Sequence, residues 1–147
     1  MENFKETLKL ISALFVISYV INLAWEFFHS FLYNIPYHMG GFDYLMMLMK
    51  ATFGDAVIIL AIYLIISASS KDFLWIKNPN KKQMFFIIAA GFLVAVLIEV
   101  RALYFTGKWS YNEYMPAIFT IGLTPLIQLS LTALISIWVA RRLIYKL

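Results

Sequence analysis

The chain contains no cysteine. Disulfides, thiolate metal sites and thiol redox chemistry are thereby excluded. Its only histidines are His29 and His38, so imidazole for metal ligation is scarce. Charge is scarce too. Asp, Glu, Lys and Arg make up 14% of the 147 residues, and apolar residues 63%. Soluble domains carry about 25% charged residues, so a water-soluble fold is excluded. There is no internal repeat, low-complexity segment or Gly-Ser linker. The length corresponds to one domain.

What is present is apolar sequence in long runs. Four of them extend from about Leu10 to Tyr33, Tyr44 to Ala68, Met84 to Phe105 and Pro116 to Ala140. Each exceeds the roughly 20 residues that cross the hydrocarbon core as a helix. The expected fold class is all-α: a polytopic membrane protein forming an up-down four-transmembrane-helix bundle. Residues 1-147 form a single integral membrane domain in this reading. The first run is too long for a signal-peptide h-region and ends in Trp25–Tyr33 with no small-residue cleavage site, so it is expected to stay in the mature chain.

The basic residues segregate. Lys5, Lys9, Lys71, Lys77, Lys81, Lys82, Arg141, Arg142 and Lys146 all fall in the tails or the second loop. The positive-inside rule then puts both termini in the cytoplasm, with the cell (plasma) membrane as the location. The net charge of +4 is a topology signal, and no nucleic-acid partner is expected. Trp75, Trp109, Tyr111 and Tyr114 lie near span ends, where interfacial aromatics belong.

The first run holds "NLAWEFFHS", in which Asn22, Glu26 and His29 recur at i, i+4 and i+7 on one helical stripe. With the topology above, six intramembrane ionisable residues share the outer half of the bilayer: Glu26, His29, Lys50, Asp55, Glu99 and Arg101. Each costs at least about 2.5–3.5 kcal/mol at depth and usually faces a bundle interior or a wet cavity. A polar pocket open to the extracytoplasmic side is expected. Glu26, His29 and Asp55 are the candidate catalytic acid–base residues, because a carboxyl in a low-dielectric pocket holds a proton near neutral pH. Asn22, Glu99, Arg101, Asn112, Glu113 and Gln128 are the candidate substrate-binding residues. Arg101 would clamp an anionic group, and Asn112 and Glu113 would fold over the pocket mouth. Lys50 and Arg101 also have stems long enough to reach the interface. Gly54 is expected to let another helix approach beside Asp55. Pro125 is expected to kink span four and free the carbonyl of Ile121 near Thr124 and Gln128, while Pro116 suits a helix start.

Glu26-x-x-His29 has the spacing of a di-iron ligand pair. The second pair that such a site needs is missing, so no metal or cofactor is assigned. The leading expectation is an acid–base enzyme acting on a lipid or isoprenoid. The alternative is a non-enzymatic transporter, or the membrane subunit of a larger complex or homo-oligomer. Transport calls for polar residues through the inner half, where Ser12, Ser18, Tyr63 and Ser67 are few. A third reading is a metal-binding membrane protein using Glu26, His29, His38 and Asp55.

The segments "NLAWEFFHS", "GDAVIILAIYL", "GKWSYNEYMP" and "GLTPLIQLSL" together resemble an uncharacterised family of small four-span prokaryotic integral membrane proteins. W-x-Y-N-E-x-M-P is the most specific part. The resemblance covers all four spans and implies the topology; it implies no mechanism.

Overall fold

The computed structural model describes residues 2–34 and 38–146. Four helices dominate it: α1 (Glu2–His29), α2 (Gly41–Ser70), α3 (Lys81–Val100) and α4 (Leu123–Tyr145). All are long and apolar enough to cross a membrane. The exposure pattern is that of a membrane protein. Val16, Leu93, Leu97 and Trp138 are 57–60% exposed, whereas Ser18, Asn22, Thr52, Thr132 and Ser136 are completely buried. In lipid, apolar side chains face outward at no cost, and polar ones turn in to find partners.

Helix α3 starts on a capping box. The Asn80 side chain accepts from the Gln83 amide at 2.9 Å, and Gln83 Oε1 accepts from the Asn80 amide at 2.9 Å. Beyond Val100 it widens into a π-helical turn, Arg101–Thr106, and stops at Gly107, whose φ of 55° is left-handed.

The start of the fourth span differs from the sequence expectation. Residues Ala117–Ile118 (β1) and Ile121–Gly122 (β2) pair as a tight antiparallel hairpin, and α4 begins only at Leu123. Pro116 therefore precedes a hairpin, and its carbonyl accepts from the Leu123 amide at 2.7 Å. Thr120 lies in the hairpin turn rather than in a helix. Phe119 and Thr120 are both left-handed there, at φ 49° and 69°, and the Tyr104 hydroxyl holds the turn through the Phe119 carbonyl and the Thr120 hydroxyl. Pro125 falls in the first turn of α4, where a missing N–H breaks no helical bond. The expected mid-span kink is absent for that reason.

One end of the molecule is basic. Lys77 bonds Glu6 at 2.7 Å and lies over the Tyr145 ring, joining the start of α1, the α2–α3 loop and the end of α4. The other end is aromatic. Tyr33 and Tyr111 form a β-bridge, Asn34 N donates to Ser110 O at 3.0 Å and Asn112 N to Leu32 O at 3.1 Å. These bonds strap the segment after α1 to the segment after α3.

Helix α1 packs on α2 and α4, and α3 packs on α4; α2 and α3 meet over a shorter stretch. Gly91 sets the α3–α4 contact. A Cβ there would lie 2.8 Å from the Ser130 backbone nitrogen, and Ser130 Oγ donates to the Ile88 carbonyl at 2.8 Å. Gly91→Ala should lower stability by about 1–3 kcal/mol through overpacking, outweighing the roughly 1 kcal/mol that alanine contributes to helix propensity. Thermal unfolding in detergent checks this, and an unchanged midpoint would show that the helices part freely. Gly54 behaves oppositely to expectation. A Cβ there would meet nothing within 4 Å, because this face of α2 borders open space, so Gly54→Ala is the clash-free control and should raise stability by up to about 1 kcal/mol.

The α1–α4 contact is a polar seam. His29 pairs with Thr124 and Glu26 with Gln128, so the two helices run antiparallel. Continued one turn at a time, the same register brings Asn22 alongside Thr132 and Ser18 alongside Ser136. Below them the interior turns apolar, with Leu14, Leu10 and Ala140 fully buried.

Candidate functional site

Three helices deliver the central group. Gln128 Nε2 of α4 donates to Glu26 Oε1 of α1 at 2.5 Å and to Asp55 Oδ2 of α2 at 2.8 Å. One donor atom therefore bridges the two carboxyls and holds their accepting oxygens close together. Two bare carboxylates held that close repel, which favours one proton shared by the pair. The pair then holds one group able to give a proton and one able to take it.

Glu99 of α3 is 3% exposed and is held by aromatic donors. Trp109 Nε1 donates to its Oε2 at 3.2 Å, the Tyr111 hydroxyl donates to the same oxygen, and the Tyr33 hydroxyl reaches Oε1 at 3.5 Å. Burial raises the Tyr111 phenol well above its ordinary range, and the bond to Glu99 adds to this. Burial and then the Glu99 charge do the same to Tyr33. Both phenols therefore stay protonated and remain donors.

A cavity of about 770 Å³ connects these groups. Glu26, Asp55, Glu99 and Gln128 line it. Met39, Met46, Met47, Ile58, Ala95 and Ile98 supply apolar wall, and Lys50, Lys108 and Trp109 border its aromatic end. The volume is within the roughly 300–1,000 Å³ of small-molecule sites.

The remaining candidates lie elsewhere. His29 does not join Glu26 and Asp55. Its Nε2 is 2.7 Å from the Thr124 hydroxyl, and its ring sits edge-on between Trp25 and Tyr33. Three residues along a helix give a net turn of about 60°, so both residues reach α4 while His29 falls outside the cavity wall. Asn22 lies one turn further in, its Nδ2 donating to the Ser18 carbonyl at 2.9 Å. Arg101 is exposed on the π-helical turn and absent from the cavity wall. Its expected clamp role is not supported: with Glu99 pointing in, a residue two positions on points out. Asn112 is a strap, its Nδ2 donating to the Phe31 carbonyl at 2.7 Å and its Oδ1 accepting from the Tyr114 amide at 3.0 Å. Glu113 is exposed and does not line the cavity.

Several residues at the site carried no sequence signal for this role. Trp109 and Tyr111 read as interfacial aromatics yet turn inward to Glu99. Lys108 reads as a loop residue, whereas Lys50 is one of the six ionisable residues expected at the pocket, with a stem that could equally reach the interface. Thr132 and Ser136 extend the seam, and the four-residue spacing of Thr124, Gln128, Thr132 and Ser136 was the signal available for them. Among the described residues, no three His, Asp or Glu side chains gather as a metal site requires. No family model, curated protein or solved structure matches the chain.

Proposed function

We propose that this protein is a membrane enzyme that performs proton transfer on a lipid or isoprenoid, using the Glu26–Asp55 carboxyl pair. The observation that carries the reading is the bridging of those carboxyls by the single Gln128 donor, inside a cavity large enough for a substrate. In the proposed cycle one carboxyl protonates one end of a substrate carbon–carbon double bond, and the other removes a proton from the carbon on the far side of the resulting cation, so the double bond moves by one position. The pair ends with the single proton it began with, and no outside acid, base or oxidant is consumed. Gln128 holds the carboxyl oxygens in position. The helices cross in alternate directions, with both termini in the cytoplasm of a cell membrane and the cavity in the outer half. The segregated basic residues and the contacts at the two ends support that orientation.

The reading is tested without knowing the substrate. The reconstituted protein is incubated in D2O with neutral-lipid and isoprenoid extracts, and the lipids are then weighed by mass spectrometry. At least one species is expected to gain carbon-bound deuterium. A complete absence of protein-dependent exchange would refute proton transfer to carbon.

A second reading, proton or ion passage, is favoured by the α1–α4 seam. Ser18 Oγ, Asn22 Oδ1 and Ser136 Oγ are buried without a hydrogen-bond partner among the described residues, and such groups commonly bind water. The apolar layer of Leu10, Leu14 and Ala140 opposes it. Proton flux into protein-containing vesicles under an imposed potential separates the two readings: flux favours passage, and tight vesicles favour the enzyme.

A further inference from the structure

We propose that the cavity is a lateral binding site for a lipid whose phosphate head carries net negative charge, with the head at Lys50 and Lys108 and the chain lying between α2 and α3 toward the carboxyl pair. This deepens the enzyme reading and rests on it for the chain's destination. The sign of the ligand follows from which charges are already answered. Glu26 and Asp55 share the Gln128 donor. Glu99 has its aromatic donors. Asp43 sits in the first turn of α2, where the helix dipole favours a negative charge. The lysines are unanswered. Both are exposed and border the cavity, and among the described residues neither has a carboxylate within ion-pair distance. The Lys108 ammonium stands 5.4 Å over the ring of Trp109, itself a cavity residue, so its charge is held at the site. Lys50 precedes Asp55 by five residues, about 7.5 Å along the helix. A head at the lysines therefore leaves its first chain carbons beside the carboxyl pair.

The route follows from the strap. Tyr33, Trp109 and the loop bonds of Asn34 and Asn112 cover the aromatic end. On the side, α2 and α3 meet only briefly, and the wall there is Met46, Met47 and Ile98. Methionine's flexible thioether accommodates chains of varied shape. A bilayer lipid enters this gap sideways without crossing water.

Native mass spectrometry in neutral detergent provides the test. Phosphatidic acid competes against phosphatidylcholine and a dialkyl-trimethylammonium lipid with the same chains. At about one lipid-attraction increment per lysine, a roughly 30-fold preference for phosphatidic acid is expected at low salt. The Lys50→Gln/Lys108→Gln protein should lose it, and Lys50→Arg/Lys108→Arg should keep it. Lys71→Gln/Lys81→Gln, at the basic end, should leave it intact. The proposal is overturned if the first pair has no effect, if the basic-end pair removes the preference equally, if the cationic lipid wins, or if inorganic phosphate displaces the bound lipid. Absence of this preference in the unaltered protein with deuterium exchange intact would sink the lipid site alone; the preference without exchange would sink the carboxyl chemistry alone.

Discussion

Glu26→Gln is expected to reduce deuterium exchange by at least about 10³-fold, the upper range for a positioned general acid or base, while the protein stays folded. Glutamine has the same shape. Its carbonyl oxygen accepts from Gln128 as Glu26 Oε1 does, and its amide donates to Asp55 in place of the shared proton. The melting point in detergent should therefore stay within a few degrees. Asp55→Asn should behave in the same way. The double variant should be no worse than either single one, since groups that act as a unit lose everything at the first removal. His29→Gln is the contrasting case. His29 bonds Thr124 on the seam, so exchange should fall by less than about tenfold, an indirect effect short of losing the acid or base. A Glu26→Gln protein that kept a tenth of the exchange would rule out the carboxyl pair as the proton source.

Glu99→Ala is expected to cost about 3–5 kcal/mol of stability. It strands the Trp109 indole and the Tyr111 hydroxyl, each buried donor costing about 1–3 kcal/mol when unpaired. It also removes packing beneath the strap. The Tyr33 bond, at 3.5 Å, contributes least. Glu99→Gln keeps an acceptor and should cost less than about half as much. Tyr111→Phe, which removes one bond to the carboxylate, should cost about 1.5–3 kcal/mol. Urea or thermal unfolding in detergent measures all three. Limited proteolysis after Lys108 gives a local readout, since a loosened strap is cut faster. Glu99→Ala at wild-type stability would show that the aromatic cage carries no structural weight, leaving Glu99 free for the substrate.

Four helices long and apolar enough to cross a membrane were legible in the sequence, because that property depends on length and composition. The clustering of Glu26, Asp55 and Glu99 at one depth was legible too, since depth follows from position along a span. Their directions were not. In a soluble helix an apolar stripe marks the buried face, but here lipid and core are equally apolar. Nothing in the pattern says that Glu26 lines the cavity with Asp55 while His29 bonds Thr124 away from it, or that Trp109 and Tyr111 fold inward to Glu99. The hairpin at Ala117–Gly122 was hidden for the same reason: its apolar residues extend the fourth run smoothly, so the helix appears to begin at Pro116 and Pro125 appears to interrupt it.

The sequence by itself determined four helices long and apolar enough to cross a membrane, with Glu26, Asp55 and Glu99 at positions that meet around one cavity, because hydrophobic length and residue position are additive along a chain. Only the tertiary structure decided that Glu26 and Asp55 share a donor, that His29 and Arg101 stand apart from them, and that Lys50 and Lys108 border the cavity. Those facts depend on the rotation of each helix about its axis and on the α1–α4 register, which are settled by packing between elements far apart in the chain.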